Sequence, residues 1–279
     1  MAGVTLAKRR SVSVVVHLVL GVVALAFLAP LLWLLTASVD AEAPLSARLP
    51  SAFTLDNFAQ VLSWETSGRP LWNGLLMCGG AAAISVFSAV LCAYPLSRYQ
   101  LRFRRPFLYL VLFASGLPMT AVMVPVYSMF VQVELVDSMF GTTLFLAATS
   151  LPIAIWMTKN FMDGVPISLE EAAWVDGASA MQALRSVVLP LIVPGMGVVA
   201  IFTFINAWGN FFVPFILLLD PAKQPASVGV FAFFGQGGLI AYGQLAAYSI
   251  LYTAPVIALY LVVSRYLGGA FNLAGAIKN

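Results

Sequence analysis

The residues able to do chemistry are few and unevenly spread. The 279-residue chain holds 11 acidic residues, 14 Lys and Arg, one histidine and two cysteines. Its densest polar run, LEEAAWVDGASAMQALRSVVLPLIVP at 169–194, sets Glu170, Glu171 and Asp176 just ahead of Gly177, between two apolar stretches. Ser168 precedes Glu171 by three residues, the spacing at which a hydroxyl and a carboxylate cap a helix start reciprocally. A short helix is therefore predicted from about Leu169, with Glu170 and Glu171 in the first turn where the helix dipole favours anions. Gly177 then supplies a turn or a close approach that a side chain would obstruct, and a second helix follows. Ala172, Ala173, Val175, Ala178 and Ala180 are small, so the outer face of this bend suits seating in a groove of a partner. The chemistry on offer is recognition.

A second polar group lies further on. Thr203, Asn206 and Asn210 fall at i, i+3 and i+7, which puts them on one face of a helix, with Trp208 and Pro214 beside them. Amides in an otherwise apolar helix face the bundle interior or a wet cavity. They serve either as hydrogen-bonding glue between helices or as the lining of a path for a polar solute.

Catalytic readings fail on inventory. An intramembrane serine protease needs a histidine facing its nucleophile, and the single histidine, His17, falls near a helix end where a hydrogen-bonded or interfacial role suits it. Cys78 and Cys92 sit on one predicted helix about 21 Å apart, too far to bridge, and read as packing residues. One histidine and two distant thiols make no metal site. No phosphate-cradling G-x-x-x-x-G-K-[ST] run occurs, and none of the four lysines follows a glycine, so nucleotide hydrolysis belongs to another chain.

The elements that must position these residues follow from composition. With 61% hydrophobic and 9% charged residues and a mean hydropathy of +0.96, the chain is far too apolar for a soluble domain. Uncharged windows at 11–39, 70–97, 106–133, 138–158, 186–219 and 224–264 each hold the roughly 20 residues that cross a bilayer as a helix. The last is too long for one span and glycine-rich at its start, so the sixth helix is placed at 243–264. The fold class is an all-α polytopic membrane protein with six crossings. Pro118, Pro125 and Pro152 are expected to bend spans three and four. The initial apolar run of about 29 residues exceeds the apolar region of a cleavable signal. The organisation predicted is a first helix and outer loop (1–69), a core (70–264) carrying the polar loop at about 159–190, and a tail (265–279).

Charge gives orientation. Lys8, Arg9 and Arg10, then Arg98, Arg102, Arg104 and Arg105, then Lys159 and Arg185, then Arg265 and Lys278 fall on one side; only Arg48, Arg69 and Lys223 fall on the other. That puts both termini and the 159–190 loop in the cytoplasm. The net charge of +3 is orientation signal, and nucleic acid is not an expected partner. The outer segments 40–69, with Asp40, Glu42, Asp56 and Glu65, and 220–242, with Gly229, Gly235, Gly237 and Gly238, are expected to face an external partner. An ion-coupled secondary transporter is the alternative, but it calls for ionisable groups within the spans, where only His17 is found.

The run Glu171-Ala172-Ala173, three residues, Gly177, nine residues, Val187, one residue, Leu189-Pro190 resembles the EAA loop of binding-protein-dependent ABC importer permeases, with Val187 for Ile the one departure. Three further stretches are similar to carbohydrate permeases: PSAFTLDNFAQVL after span one, AYPLSRYQLRFRR after span two, and FINAWGNFFVPFILLLDP in span five. In the last, Trp208-Gly209-Asn210-Phe211 stands where many relatives read Trp-Asn-Glu-Phe. The tail FNLAGAIK (271–278) resembles that of the second permease subunit of such importers. The resemblance implies a type I ABC importer permease fold in a bacterial or archaeal cytoplasmic membrane. It implies a second, similar permease, two copies of a cytoplasmic ATPase that bind ATP and Mg, an external binding protein and surrounding lipid as partners, with no cofactor on this chain. Glu170, Glu171, Ala172, Ala173, Asp176, Gly177, Leu189 and Pro190 would form the ATPase-coupling loop, Thr203, Asn206, Trp208 and Asn210 would be candidate pore-facing residues, and the cargo would be a sugar or sugar derivative.

Overall fold

The computed structural model describes the backbone of residues 2–46, 48–234 and 240–276, and the side chains of 16–46, 48–234 and 240–265. The side chains of Lys8, Arg9, Arg10 and Lys278, those of the 271–278 tail, and Gly235, Gly237 and Gly238 lie outside the described residues. Among the described residues the regular structure is helical: α1 (Ala2–Ser38), α2 (Asp56–Val61), α3 (Arg69–Arg98), α4 (Arg104–Ser115), α5 (Met119–Gln132), α6 (Met139–Asp163), α7 (Ser168–Val175), α8 (Ala180–Ala183), α9 (Leu189–Trp208), α10 (Phe212–Leu217), α11 (Ala226–Gly229) and α12 (Tyr242–Ala276). Five helical stretches are long and apolar enough to cross a membrane, or six if the bent pair α4 and α5 counts as one span.

The spans differ from the sequence expectation in three places, each for a local backbone reason. Span three is not one helix: α4 and α5 meet at 97°, and the break falls where Pro118 takes an extended conformation ahead of α5. A residue before proline is pushed out of the helical region, so Leu117 ends what hydropathy reads as continuous. Pro125 and Pro152, by contrast, lie inside α5 and α6. Span five is displaced: it runs Ala180–Trp208, joining α8 to α9 through a π-helical turn at Leu184–Val188, and ends at Gly209 rather than Leu219. The residues beyond form the separate α10, which buries Val213, Pro214 and Leu217. Finally, α12 continues to Ala276, past the expected end at 264, although its membrane-spanning part, Tyr242–Arg265, fits the expected 243–264.

The chain divides into two compact units. One comprises Met1–Ser63 and Val230–Thr253. Here Asp40, 2% exposed, gathers the outer segment: it accepts from the Ser51 hydroxyl at 2.8 Å and from the amides of Ser51 and Glu42 at 3.2 and 3.1 Å. Asn57 donates to the carbonyls of Asp40 and Ser38 at 2.9 and 3.2 Å, and Trp33 meets Tyr242 edge to face. An acid that composition assigns to an external surface is thus partly structural.

The other unit, Trp64–Gly229 and Ala254–Asn279, is built on α3, α6 and α9. Ala89 and Ala93 on α3 and Ala154 on α6 are fully buried, and small residues let helix backbones approach closely in lipid. Ser85 donates to the Ala147 carbonyl at 3.1 Å, tying α3 to α6. At Gly195 a side chain would run into the Phe161 ring, so glycine there sets the approach of α9 to α6. Val90, Ala93, Tyr94, Met162, Val165, Leu184, Val188 and Ile192 form one apolar cluster at the end of this bundle that carries the polar loop.

Candidate functional site

The polar loop is built as helix, turn and helix, though not with the cap its spacing predicts. Ser168 is the first residue of α7 and makes no capping bond there; Ile167 occupies the cap position. The reciprocal capping box forms instead at the second helix. There the Ser179 amide donates to Gln182 Oε1 at 2.7 Å and the Gln182 amide to Ser179 Oγ at 3.4 Å. Between them Gly177 adopts φ +88°, the left-handed region that costs other L-residues about 1–2 kcal/mol. The amides of Gly177 and Ala178 donate to the carbonyls of Trp174 and Ala173 at 3.0 and 2.9 Å, the paired bonds of a Schellman helix end. No atom lies within 4 Å of where a Gly177 Cβ would sit, so this chain requires glycine for its backbone angle and leaves the space around it open.

The two adjacent glutamates have opposite fates. Glu170 is completely buried. Its Oε1 forms an ion pair with Arg98 Nε, and its Oε2 lies 2.9 Å from the Tyr94 hydroxyl, which is also 3.2 Å from the Ala180 carbonyl. Tyr94 and Arg98 are four residues apart on α3 and so share the face turned to α7. The guanidinium is spent further on the Val165 carbonyl at 3.2 Å and Ser97 Oγ at 3.1 Å. Ser97 donates to Asp163 at 2.5 Å, and Asp163 pairs with Lys159 one turn back on α6. Each charge therefore has a partner, as burial demands. The network ties α7 to the ends of α3 and α6.

Glu171, Ala172, Val175, Asp176 and Gly177 are exposed, Val175 at 88%, and Ala173 is half-buried. Glu170, grouped with these in the sequence reading, faces inward instead. Leu189 opens α9 half-buried against the apolar cluster, and Pro190 beside it is exposed. Arg98 and Lys159, read from sequence as loop charges, lie inside helices and are 5% and 8% exposed along their side chains.

The second polar group divides. Because α9 ends at Trp208, Asn210 does not share a helical face with Thr203 and Asn206; it lies past the helix end, where its Oδ1 accepts from the Val213 amide at 3.0 Å. Asn206 and Asn210 nevertheless line one open groove of about 180 Å³ with Met119, Thr149, Ser150 and Phe202. Thr203 is fully buried, its hydroxyl without a hydrogen-bond partner among the described residues. Trp208, 4% exposed, stacks on Phe204 and packs against Gly74 of α3. Among the described residues no cluster of His, Cys, Asp or Glu is arranged to hold a metal ion.

Residues 84–268, which carry the helix–turn–helix segment and both polar groups, match the family model described as binding-protein-dependent transport system inner membrane component. The chain belongs to this family. It is the transmembrane permease component of an ATP-driven, binding-protein-dependent importer, which decides against the ion-coupled transporter reading. The chain is 31% identical to the sulfoquinovosyl glycerol transport system permease protein SmoH of Agrobacterium fabrum, over 74% of each chain. It is 28% identical to the trehalose/maltose transport system permease protein MalG of Thermococcus litoralis, over 94% of this chain and 96% of that one. Its fold matches a chain of a bacterial ABC transporter involved in import of the acidic polysaccharide alginate, with a TM-score of 0.80 over 92% of this chain and 96% of that one, at 24% identity.

Proposed function

We propose that this permease forms half of a sugar-translocation pathway and is driven through the exposed face of α7 by a separate ATPase subunit. The observation that carries this is the divergence of Glu170 and Glu171: one glutamate fastens α7 to α3, and the next faces outward with nothing of this chain covering it. Such a helix is rigid toward its own bundle and open toward a partner. Glu171 is placed to pair with a basic group, Ala172 and Ala173 permit close seating, and Asp176 and Gly177 shape the turn that enters the partner's cleft.

Force applied there divides at Gly177. One route runs through Glu170 and Arg98 into α3. The other runs through the Ser179 cap into Ala180–Trp208, a continuous helix of 29 residues that spans about 43 Å and ends beside the groove lined by Asn206 and Asn210. In this reading that groove is the solute-facing surface, its amides supplying donors and acceptors to sugar hydroxyls. The carbohydrate class rests on the transport systems named for SmoH and MalG.

The chain itself is not catalytic: ATP and Mg are bound by two copies of the partner ATPase, with no cofactor on this chain. A second, similar permease completes the pore, and an external binding protein delivers the sugar. The positive-inside distribution supports a bacterial or archaeal cytoplasmic membrane with both termini and α7 on the ATPase side. Reconstitution of the full transporter tests this. Sugar-loaded binding protein should stimulate ATP hydrolysis and uptake, and Gly177→Asp, which adds bulk and charge at the contact, should abolish uptake by uncoupling or blocking assembly. Normal stimulated uptake by that variant would overturn the role given to the turn.

A further inference from the structure

Beyond the α7 anchor, the junction of α3 and α4 carries further positive charge, of which Arg104 also acts electrostatically on Asp163 of that network. Arg98 is consumed by Glu170, but Arg102, Arg104 and Arg105 enter no ion pair among the described residues. Arg104 and Arg105 line a recess of about 370 Å³ together with Leu108, Tyr109 and Trp156 of α6. The indole N–H of Trp156 is closed to solvent and has no hydrogen-bond partner among the described residues, a costly state for a donor; a turn of the ring would present it to a ligand in the recess. Arg104 also borders a second recess of about 470 Å³, with Arg102 and an apolar wall of Leu91, Cys92, Pro95, Leu96, Phe103 and Phe107.

We propose that these adjoining recesses bind an anionic phospholipid. Arg104, Arg105 and the Trp156 N–H would hold the phosphate, and the apolar groove would take an acyl chain. A phosphate accepts hydrogen bonds and does not depend on donating them, which matches a recess offering two guanidinium forks and an orphan indole donor. Apart from Arg102 and Arg104 at its border, the groove is walled by apolar side chains, which suits a hydrocarbon chain held beside a charged headgroup. Location agrees: α3 ends at Arg98 and α4 begins at Arg104, so the arginines lie between two membrane-spanning stretches, at headgroup depth. The proposal does not depend on how α7 meets its partner.

The test is native mass spectrometry of the assembled transporter, delipidated and re-exposed to phosphatidylglycerol, to phosphatidylcholine, or to the tail-less headgroup glycerol 3-phosphate. Phosphatidylglycerol, which carries a net negative charge, should be retained about ten-fold better than phosphatidylcholine, whose quaternary ammonium cancels the charge of the same phosphate and is repelled by the arginines. The double variant Arg104→Gln with Arg105→Gln should erase that preference. Trp156→Phe, which keeps the ring and removes the donor, should lower phosphatidylglycerol retention several-fold with Tm unchanged. Equal retention of both lipids, or variants that bind like the parent chain, would overturn the proposal. So would competition by glycerol 3-phosphate as effective as the lipid, which would mean a soluble-anion site, or retention of neither lipid by the assembled transporter, which would mean a surface covered by protein.

Discussion

Glu170 and its partners are the residues with the most to lose. A fully buried carboxylate paired with Arg98 and bonded to Tyr94 is stabilising only while all three are present. Arg98→Met should destabilise the permease by about 3–5 kcal/mol, because it leaves Glu170 charged and unpaired inside the protein. Glu170→Leu should cost a similar amount, yet the double variant should recover much of the loss, since apolar pairs of similar volume replace buried ion pairs with little penalty. A double-mutant cycle read by thermal unfolding in detergent checks this; simply additive losses would refute the pairing. The loops before α6 and after α10 hold a different kind of pair. Asp137 accepts the Asp220 and Leu219 amides at 2.9 Å and Lys223 Nζ at 2.5 Å, and the Asp220 amide, followed by Lys223, holds its carboxyl below the usual carboxylate range. Lys223 is in turn held above its ordinary value by Asp137. A depressed acid contributes in full above its unfolded pKa of about 3.9 and ceases to contribute as pH falls through the lower folded value. Protection of the Leu219 and Asp220 amides, read as exchange relative to the intrinsic rate at each pH, should therefore be high at neutral pH, be lost in strong acid, and be lower at neutral pH in Asp137→Asn. Of this scale the sequence tells least. Glu170 and Glu171 are the same residue type one position apart, and the partner that separates them lies 72 residues away. Tyr94 and Arg98, one turn apart at a helix end, are the sequence signal for it, and the sequence reading took Arg98 only as an orientation charge.

At the scale of elements, the turn between α7 and α8 is fixed by backbone rather than by crowding. Gly177→Ala fills open space but forces a left-handed φ, and should lower stability by roughly 1–2 kcal/mol. Ser179→Ala, which removes half of the capping box, should cost about 1 kcal/mol. Both are measured by thermal unfolding. Under the proposed coupling role, Gly177→Ala should reduce transport more than Ser179→Ala at comparable stability. Much of this level was legible in the sequence. Hydropathy found α3 and the membrane part of α12 nearly to their ends, and α1 and α6 at one end each, α1 starting at Ala2 rather than 11 and α6 running to Asp163 rather than 158; the glycine marked its own turn. Residues 106–133 and 186–219 are uncharged throughout; the bend expected at Pro118 is a full break in the first, and the halt of the second at Gly209 was missed. The capping box was expected at Ser168 because spacing alone does not reveal which of two serines precedes a helix and which begins it.

For the whole molecule the claim is mechanical: a permease bundle moved by another chain through one short helix. The family and the membrane-spanning α-helical fold were recoverable from the EAA-like run and the apolar windows, since both are patterns of type and spacing. Which side of α7 is fastened and which is free came only from coordinates. The most direct measurement is site-directed cross-linking in the assembled transporter. Val175, 88% exposed on α7, is replaced by Cys and tested with a short bifunctional reagent against the ATPase subunit, with Ala183→Cys, buried on α8, as the negative control. A strong cross-link from position 175 to the ATPase, changing in yield between ATP-bound and nucleotide-free states and absent at position 183, is the predicted result. Cross-links from 175 only to its own bundle or to lipid, in every nucleotide state, would contradict the account.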